Sequence, residues 1–234
     1  MNISIIIPVY NESEGIGKLF GCLGPFAEKS EIIFADGGSS DGTAQQIETW
    51  AQQQKKAAPL CYIAPEKGRA NQMNYGASMS AGDVLWFLHA DSVPPADALS
   101  QIQSIINKGY SAGCFRLRFD SRHPLLLYNS FMSNNVRLKI GKIAFGDQGI
   151  FITRALFDKL GGYAAIPIME DYQLSIDVRN AGHSFGLSNS KITTSARRFK
   201  EKGPLMTMLW MQSLQHRFRR GDNIYEIAEA YYKR

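Results

Sequence analysis

The sequence predicts an α/β protein whose central sheet is mostly parallel and covered by helices. Strand and helix signals alternate through the first 110 residues with short connections, the pattern that parallel pairing requires. The early strand candidates are near-continuous apolar runs rather than alternating ones, as expected of strands buried on both faces. A length of 234 residues with 44% hydrophobic and 20% charged residues suits a globular chain with a full core.

The elements follow in order. "ISIIIPVY" is a β-rich buried run, and "SEGIGKLFGCLGPF" places Ile16, Leu19, Phe20 and Leu23 at helical spacing. "SEIIFADGG" is a second strand. "SDGTAQQIETWAQQ" opens a helix with Ser40 or Asp41 as cap. "LCYIA" is a third strand, "GRANQMNYGASMSAG" a helix, "DVLWFL" a fourth strand, and "PPADALSQIQSIINKG" a helix with proline near its start. Beyond residue 110 the rhythm changes. "SAGCFRLRF" alternates as a half-buried, antiparallel strand would. A helix is expected over 123–137, then a glycine-rich segment with "GDQGIFITR", a short helix, and "EDYQLSIDVRNAG". "SFGLS" and "KITTSA" read as two strands before an amphipathic region from 204 to 232. The absence of a long linker predicts one domain over 1–234, with a ligand-binding half (1–110) and a second half (111–234).

Composition narrows the setting. Cys22, Cys61 and Cys114 have no metal-ligand spacing and cannot pair completely, which predicts a reducing, cytoplasmic compartment. The start lacks a basic leader with a cleavage site, and no run of 18 apolar residues is present, so neither export nor a membrane span is expected. The net charge of +5 is concentrated after position 190, in "KITTSARRFKEKG" and "QHRFRRGD". Such a tail meets phosphates or is simply a solvated basic face; no nucleic-acid recognition module accompanies it. In "GPLMTMLWMQSLQHRFRRGD", Leu205, Met208, Leu209, Trp210, Met211 and Leu214 share a helix with arginines. The stripe reads either as core or oligomer surface, or as peripheral contact with the inner face of an anionic membrane.

Open α/β sheets bind ligands beyond the carboxyl ends of their strands. Three such ends carry polar chemistry: Pro8-Val9-Tyr10-Asn11-Glu12, the "DGGSSDGT" that begins at Asp36, and His89-Ala90-Asp91. Asp36 is placed to accept hydrogen bonds from a base or sugar, or else forms part of a turn. Neither a dinucleotide fingerprint nor a phosphate-binding G-K-[ST] loop is present. Asp91 ends a buried strand, where a carboxylate is costly unless paired, hydrated or bound to a cation. Mg2+ or Mn2+ held with a substrate diphosphate suits it, and capping the next helix is the alternative. Lys67, Arg69 and Asn71 bring cations and helix-terminal N–H groups toward a phosphate. Glu170-Asp171 supplies a candidate general base, or acids that favour a helix start.

In this order, "IIIPVYNE", "ADGGSSDGT", "GRANQMNYGA", "WFLHADS", "GDQGIFITR" and "MEDYQLSIDVR" resemble family 2 glycosyltransferases of the GT-A fold, over about 180 residues. The chain is most similar to a small bacterial subgroup that shares "GDQGIF" and "TSARR". The resemblance implies a nucleotide-diphospho-sugar donor, a divalent cation (Mn2+ or Mg2+) and a small-molecule or lipid-linked acceptor. It puts Pro8, Tyr10 and Glu12 in a nucleotide-contacting loop, Asp36 on the nucleobase and Arg69 in a donor segment. Asp91 becomes the metal ligand, the last acid of a D-x-D motif. Asp171 becomes the catalytic base of an inverting transfer, with Glu170 supporting it. His89 departs from the pattern by replacing the first acid of D-x-D; it keeps the ability to hydrogen-bond a sugar or ligate Mn2+. The Q-x-x-R-W motif common in the family is missing; "TTSARRFKEKG" takes a comparable place, where Arg197 or Arg198 either clamps a leaving diphosphate or steadies the fold or an acceptor loop. A non-catalytic nucleotide-sugar-binding protein is the competing reading, and a sugar-phosphate nucleotidyltransferase a third.

Overall fold

The structure, a computed structural model, describes residues 1–54, 60–64 and 66–233, without the side chains of 200–202. Lys200 and Lys202 of the basic stretch therefore lie outside the described side chains.

The chain opens with β1 (Ile3–Val9), α1 (Ile16–Ala27), β2 (Glu31–Asp36), α2 (Thr43–Gln52), β3 (Leu60–Ile63), α3 (Arg69–Ser78) and β4 (Val84–Phe87). After β4 come β5 (Ser92–Val93), α4 (Ala98–Asn107), β6 (Ala112–Phe119) and α5 (Pro124–Met132), which runs into a π-helical turn over Ser133–Arg137. Then follow a 3-10 turn (Gly146–Gln148), β7 (Phe151–Thr153), α6 (Arg154–Leu160), α7 (Glu170–Asn180), β8 (Phe185–Thr194), α8 (Arg197–Lys202), α9 (Pro204–Arg219) and α10 (Ile224–Tyr232).

One eight-stranded sheet has the order β3-β2-β1-β4-β7-β6-β8-β5. The β3-β2-β1-β4 block is parallel, as is β6 with β8, whereas β7 runs antiparallel to both its neighbours and β5 to β8. β6 is thus antiparallel on one side only. "SFGLS" and "KITTSA" form one strand rather than two, because β8 follows β6 across a bulge near Cys114–Arg116 that absorbs the apparent break. The prolines at 94 and 95 precede α4 instead of opening it.

Both sheet faces are covered. α1, α2 and α4 pack Leu19, Leu23, Ile47 and Ile102 against Ile5, Phe34 and Trp86. α3, α6 and α7 pack Met73, Phe157 and Leu174 against Ile6, Leu85 and Phe87 on the opposite face. α3 sits close to β1: a Cβ on Gly76 would come within 2.6 Å of Ile6 Cγ2. The C-terminal apolar stripe divides. Leu214 is buried, and Trp210 and Phe218 pack beside Ile227 and Ala228 of α10, while Leu205 and Leu209 stay exposed.

Candidate active site

The polar strand ends converge because parallel strands present their carboxyl ends at one edge, on either side of β1, where the strand order reverses. Val9 pairs with Asp36 at the end of β1 and β2. Asp36 is buried; one of its oxygens accepts from the Gly38 and Ser39 N–H groups and from Ser39 Oγ. Asn11, at φ 52°, ties the adjoining loop to this one, donating its N–H to Ser39 Oγ and accepting from Ser40 N–H. Gln72 of α3 donates to the Val9 and Ala35 carbonyls, so the helix is pinned to both strand ends. Asp41 serves Thr43 N–H and hydroxyl at the start of α2, as a cap would, although Gly42 holds the capping position.

Tyr10 is exposed beyond β1, with Lys67 over its ring at 5.5 Å. Pro8 lies within β1 and is buried, so of the expected loop residues only Tyr10 and Glu12 stand in the loop. Burial raises the Glu12 carboxyl above its usual range; Asp91 adds to this and Arg197 opposes it. Glu12, Asp91 and Arg197 therefore share one electrostatic environment.

A cleft of about 590 Å³ lies beside this edge, and Arg69, His89, Asp91, Asp171, Arg197 and Arg198 all line it. Pro8, Tyr10, Glu12, Asp36, Lys67 and Glu170 do not line it. Glu170 is instead buried beneath the cleft, ion-paired with Arg69 Nε. That pair fastens the start of α3 to the start of α7. Against the partial loss of water around it, the Glu170 and Asp171 charges raise the pKa of the half-exposed Arg69 guanidinium.

Asp171 stands in the first turn of α7, after Met169 at φ 65°, a conformation that residues other than glycine seldom adopt. One Asp171 oxygen accepts the Gly146 N–H at 2.8 Å and the other the Tyr172 N–H at 2.7 Å. Burial and then the Glu170 charge raise its carboxyl to about 6, against Arg69 and these two N–H groups. His89 packs on Gly146, where a Cβ would lie 2.5 Å from its Cε1. Burial and the Arg69 charge lower His89 to about 3, which makes it a neutral imidazole at physiological pH.

Asp91 points its carboxylate into the cleft with only a long, 3.5 Å contact from Ser92 Oγ. Burial raises it, while Arg197, Arg198 and Arg69 pull the other way. Among the described residues no cluster of three or more His, Cys, Asp or Glu side chains could enclose a cation. A lightly engaged carboxylate fits a hard cation that takes its remaining ligands from phosphate and water.

Three cleft residues had no place among the sequence candidates. Asp147 and Asn129 line the cleft, and each has a buried side-chain oxygen without a hydrogen-bond partner among the described residues. Burial pushes Asp147 up to about 7, with Asp171 and Asp91 adding to the effect. Arg137, on the π-helical turn, lies over the Phe145 ring and opposes that shift. The signal available for Asp147 was a lone acid between glycines in "GDQG", within an apolar stretch. Asn129 and Arg137 had no signal beyond helical spacing.

A curled α/β sheet flanked by helices, with a cleft beside the carboxyl edge of its parallel strands, is the GT-A glycosyltransferase fold. The chain belongs to glycosyl transferase family 2, whose model matches residues 4–161. It is 26% identical to an undecaprenyl-phosphate 4-deoxy-4-formamido-L-arabinose transferase of Pectobacterium carotovorum, covering 80% of this chain and 62% of the relative. It is 26% identical to the probable glycosyltransferase YdaM of Bacillus subtilis, covering 82% and 50%. The chain thus spans only half to about three-fifths of these relatives. Among solved structures, a mannosyltransferase of Pyrobaculum calidifontis in complex with GDP-Man and Mn2+ superposes with TM-score 0.69 at 17% identity, over 99% of this chain and 70% of that one. S. aureus TarS 1–349 in complex with UDP-GlcNAc gives 0.66 at 15% identity, over 83% and 58%. Among the described residues no helix is long and apolar enough to cross a membrane.

Proposed function

We propose that this chain transfers a sugar from a nucleotide-diphosphate donor to an acceptor hydroxyl with inversion, and that Asp171 is the general base. The observation that carries the reading is Asp171 itself: a cleft-lining carboxylate oriented by two backbone N–H groups, with its pKa raised toward neutrality by burial. The chain works as one unit, in which residues 1–110 hold the donor and 111–234 supply the base and the acceptor side.

Asp36 receives the nucleobase on the oxygen that its own loop leaves free, and Tyr10 with Lys67 borders the nucleotide. Asp91 would hold a divalent cation, Mn2+ or Mg2+, which would supply positive charge to neutralise the diphosphate. His89, neutral and fixed by Gly146, hydrogen-bonds the donor sugar or joins the cation's ligands. Asp171 takes the proton from the acceptor hydroxyl as that oxygen attacks the anomeric carbon, and the bond to the diphosphate breaks on the opposite face. Arg197 and Arg198 meet the departing diphosphate from the cleft wall. Glu170 keeps Arg69 in place and has no direct part in proton transfer. The hydroxyl-bearing acceptor, small or lipid-linked, enters along the part of the cleft wall that Asn129 and Asp147 line.

A panel of UDP- and GDP-sugars with Mn2+ or Mg2+ tests this reading. Asp171→Asn should bind donor normally while transfer falls by roughly a hundredfold or more. Transfer at the normal rate in that variant would remove Asp171 from the mechanism. Donor binding without turnover of any acceptor would favour a non-catalytic nucleotide-sugar-binding protein.

A further inference from the structure

The outer sides of α5 and α9 carry an apolar surface that the core does not use. On α5, Leu127, Tyr128 and Phe131 are each more than half exposed, and on α9 Leu205, Met206 and Leu209 are likewise. Ile140, just past the π-helical turn, is 79% exposed. The two helices pack against each other. Both repeat one spacing. On α5, buried Leu126 and cleft-lining Asn129 lie roughly opposite the exposed triplet; on α9, Thr207, Met208 and Met211 line the cleft roughly opposite theirs. The apolar surface is therefore the back of the cleft's own wall. Isolated exposed apolar residues need no explanation, but six on two adjoining helices, with Ile140 as a seventh, do.

Charge identifies the occupant. Residues 121–146 contain no Asp or Glu but carry Arg122, Arg137, Lys139 and Lys142. Arg137 turns into the cleft, whereas Arg122, Lys139 and Lys142 are exposed. Residues 203–221 also lack acids and carry Arg219, beside Arg217 and Arg220, which pair within the chain with Asp222 and Glu226. A second copy docked face to face would set the exposed Arg122, Lys139 and Lys142 against their own counterparts, with no carboxylate from either segment to pair with them. An anionic lipid surface satisfies both halves of the pattern, taking the apolar side chains below the headgroups and the cations among them.

We propose that the α5–Ile140–α9 face docks on an anionic membrane surface, with the cleft wall at the lipid boundary. The inference rests on this surface and not on the transfer chemistry, so the two can fail separately.

Vesicle flotation of the full chain tests it, with phosphatidylcholine alone and with about one-quarter phosphatidylglycerol added. The chain should float with the anionic vesicles only, and less so as salt rises. The triple variant Phe131→Ser, Ile140→Ser, Leu205→Ser should bind roughly tenfold more weakly, as should Lys139→Glu with Lys142→Glu. All these positions are exposed, so circular dichroism melts should match the unmodified chain. Leu60→Ser, on the opposite sheet edge, should float normally. Failure of the unmodified chain to float overturns the proposal, and so does normal flotation of the triple variant. So does a homodimer in sedimentation that the triple variant dissociates while vesicles go unbound. Donor turnover in vesicle-free solution reports separately on the transferase reading.

Discussion

At the scale of single residues, Asp147 sets the sharpest physical problem. Its carboxyl is held near 7 by burial, with an oxygen that no described group satisfies. Between its ordinary value of 3.8 and about 7 the folded chain keeps a proton that the unfolded chain releases. Stability contributed by this group is therefore lost as pH rises through that window. Asp147→Asn removes the ionisation and should raise Tm at pH 8 by an amount corresponding to about 1–3 kcal/mol, with the gain shrinking toward pH 5. A gain that is larger at pH 5 would mean that the carboxylate is stabilised in the fold. Asp36, Asp91 and Asp171 were legible in the sequence because each sits at a strand end or helix start, where a carboxylate in an apolar context stands out. Asp147, Asn129 and Arg137 were not, because only tertiary packing brings the 3-10 turn, α5 and the π-helical turn to one cleft wall.

At the scale of elements, the short 3-10 turn at Gly146–Gln148 does more for the site than its length suggests. Its first N–H holds Asp171, and its first Cα packs on His89. A methyl on Gly146 would meet His89 Cε1 at 2.5 Å and Nε2 at 2.6 Å, and approach Asp171 Oδ2 to 3.4 Å. Gly146→Ala should therefore displace the imidazole, loosen the base, and slow transfer by roughly ten- to a hundredfold, since sub-ångström misplacement suffices for such losses. Its melting should stay within a few degrees of the unmodified chain, because the clash falls in the cleft and not in the core; unchanged transfer would show that His89 moves aside freely. The regular elements themselves were largely readable. β1, β2 and β4 declare themselves by unbroken apolar runs, and α1 and α4 by 3.6-residue spacing. β5 and the continuity of β8 were not readable, because both exist only through pairing with distant strands, which local propensity does not encode.

At the scale of the whole molecule, the sheet separates two tasks. The parallel β3-β2-β1-β4 block presents Asp36 and Asp91 at its carboxyl edge, while Asp171, the base proposed above, stands at the start of α7. The Arg69–Glu170 pair, 101 residues apart in sequence, joins the two sides. Nucleotide binding should therefore survive damage on the α7 side but not on the edge of the parallel block. With Mn2+ and a nucleoside diphosphate at about a hundredfold excess over Kd, Tm should rise by roughly 5–10 °C. Asp171→Asn should keep that rise. Asp36→Asn should lose most of it, because an amide N–H replaces the free carboxylate oxygen offered to the base while the loop's own hydrogen bonds survive on the other oxygen. Asp91→Ala should lose only the part that depends on the cation. Removing Arg69 tests the join between the halves: Arg69→Ala leaves the buried Glu170 without its half-exposed partner, and the chain should be destabilised by about 1–3 kcal/mol. A full nucleotide-induced rise in Asp36→Asn would place the base elsewhere along the edge. Loss of that rise in Asp171→Asn would mean that the two sides are not separable, and that α7 shapes the donor site through Arg69.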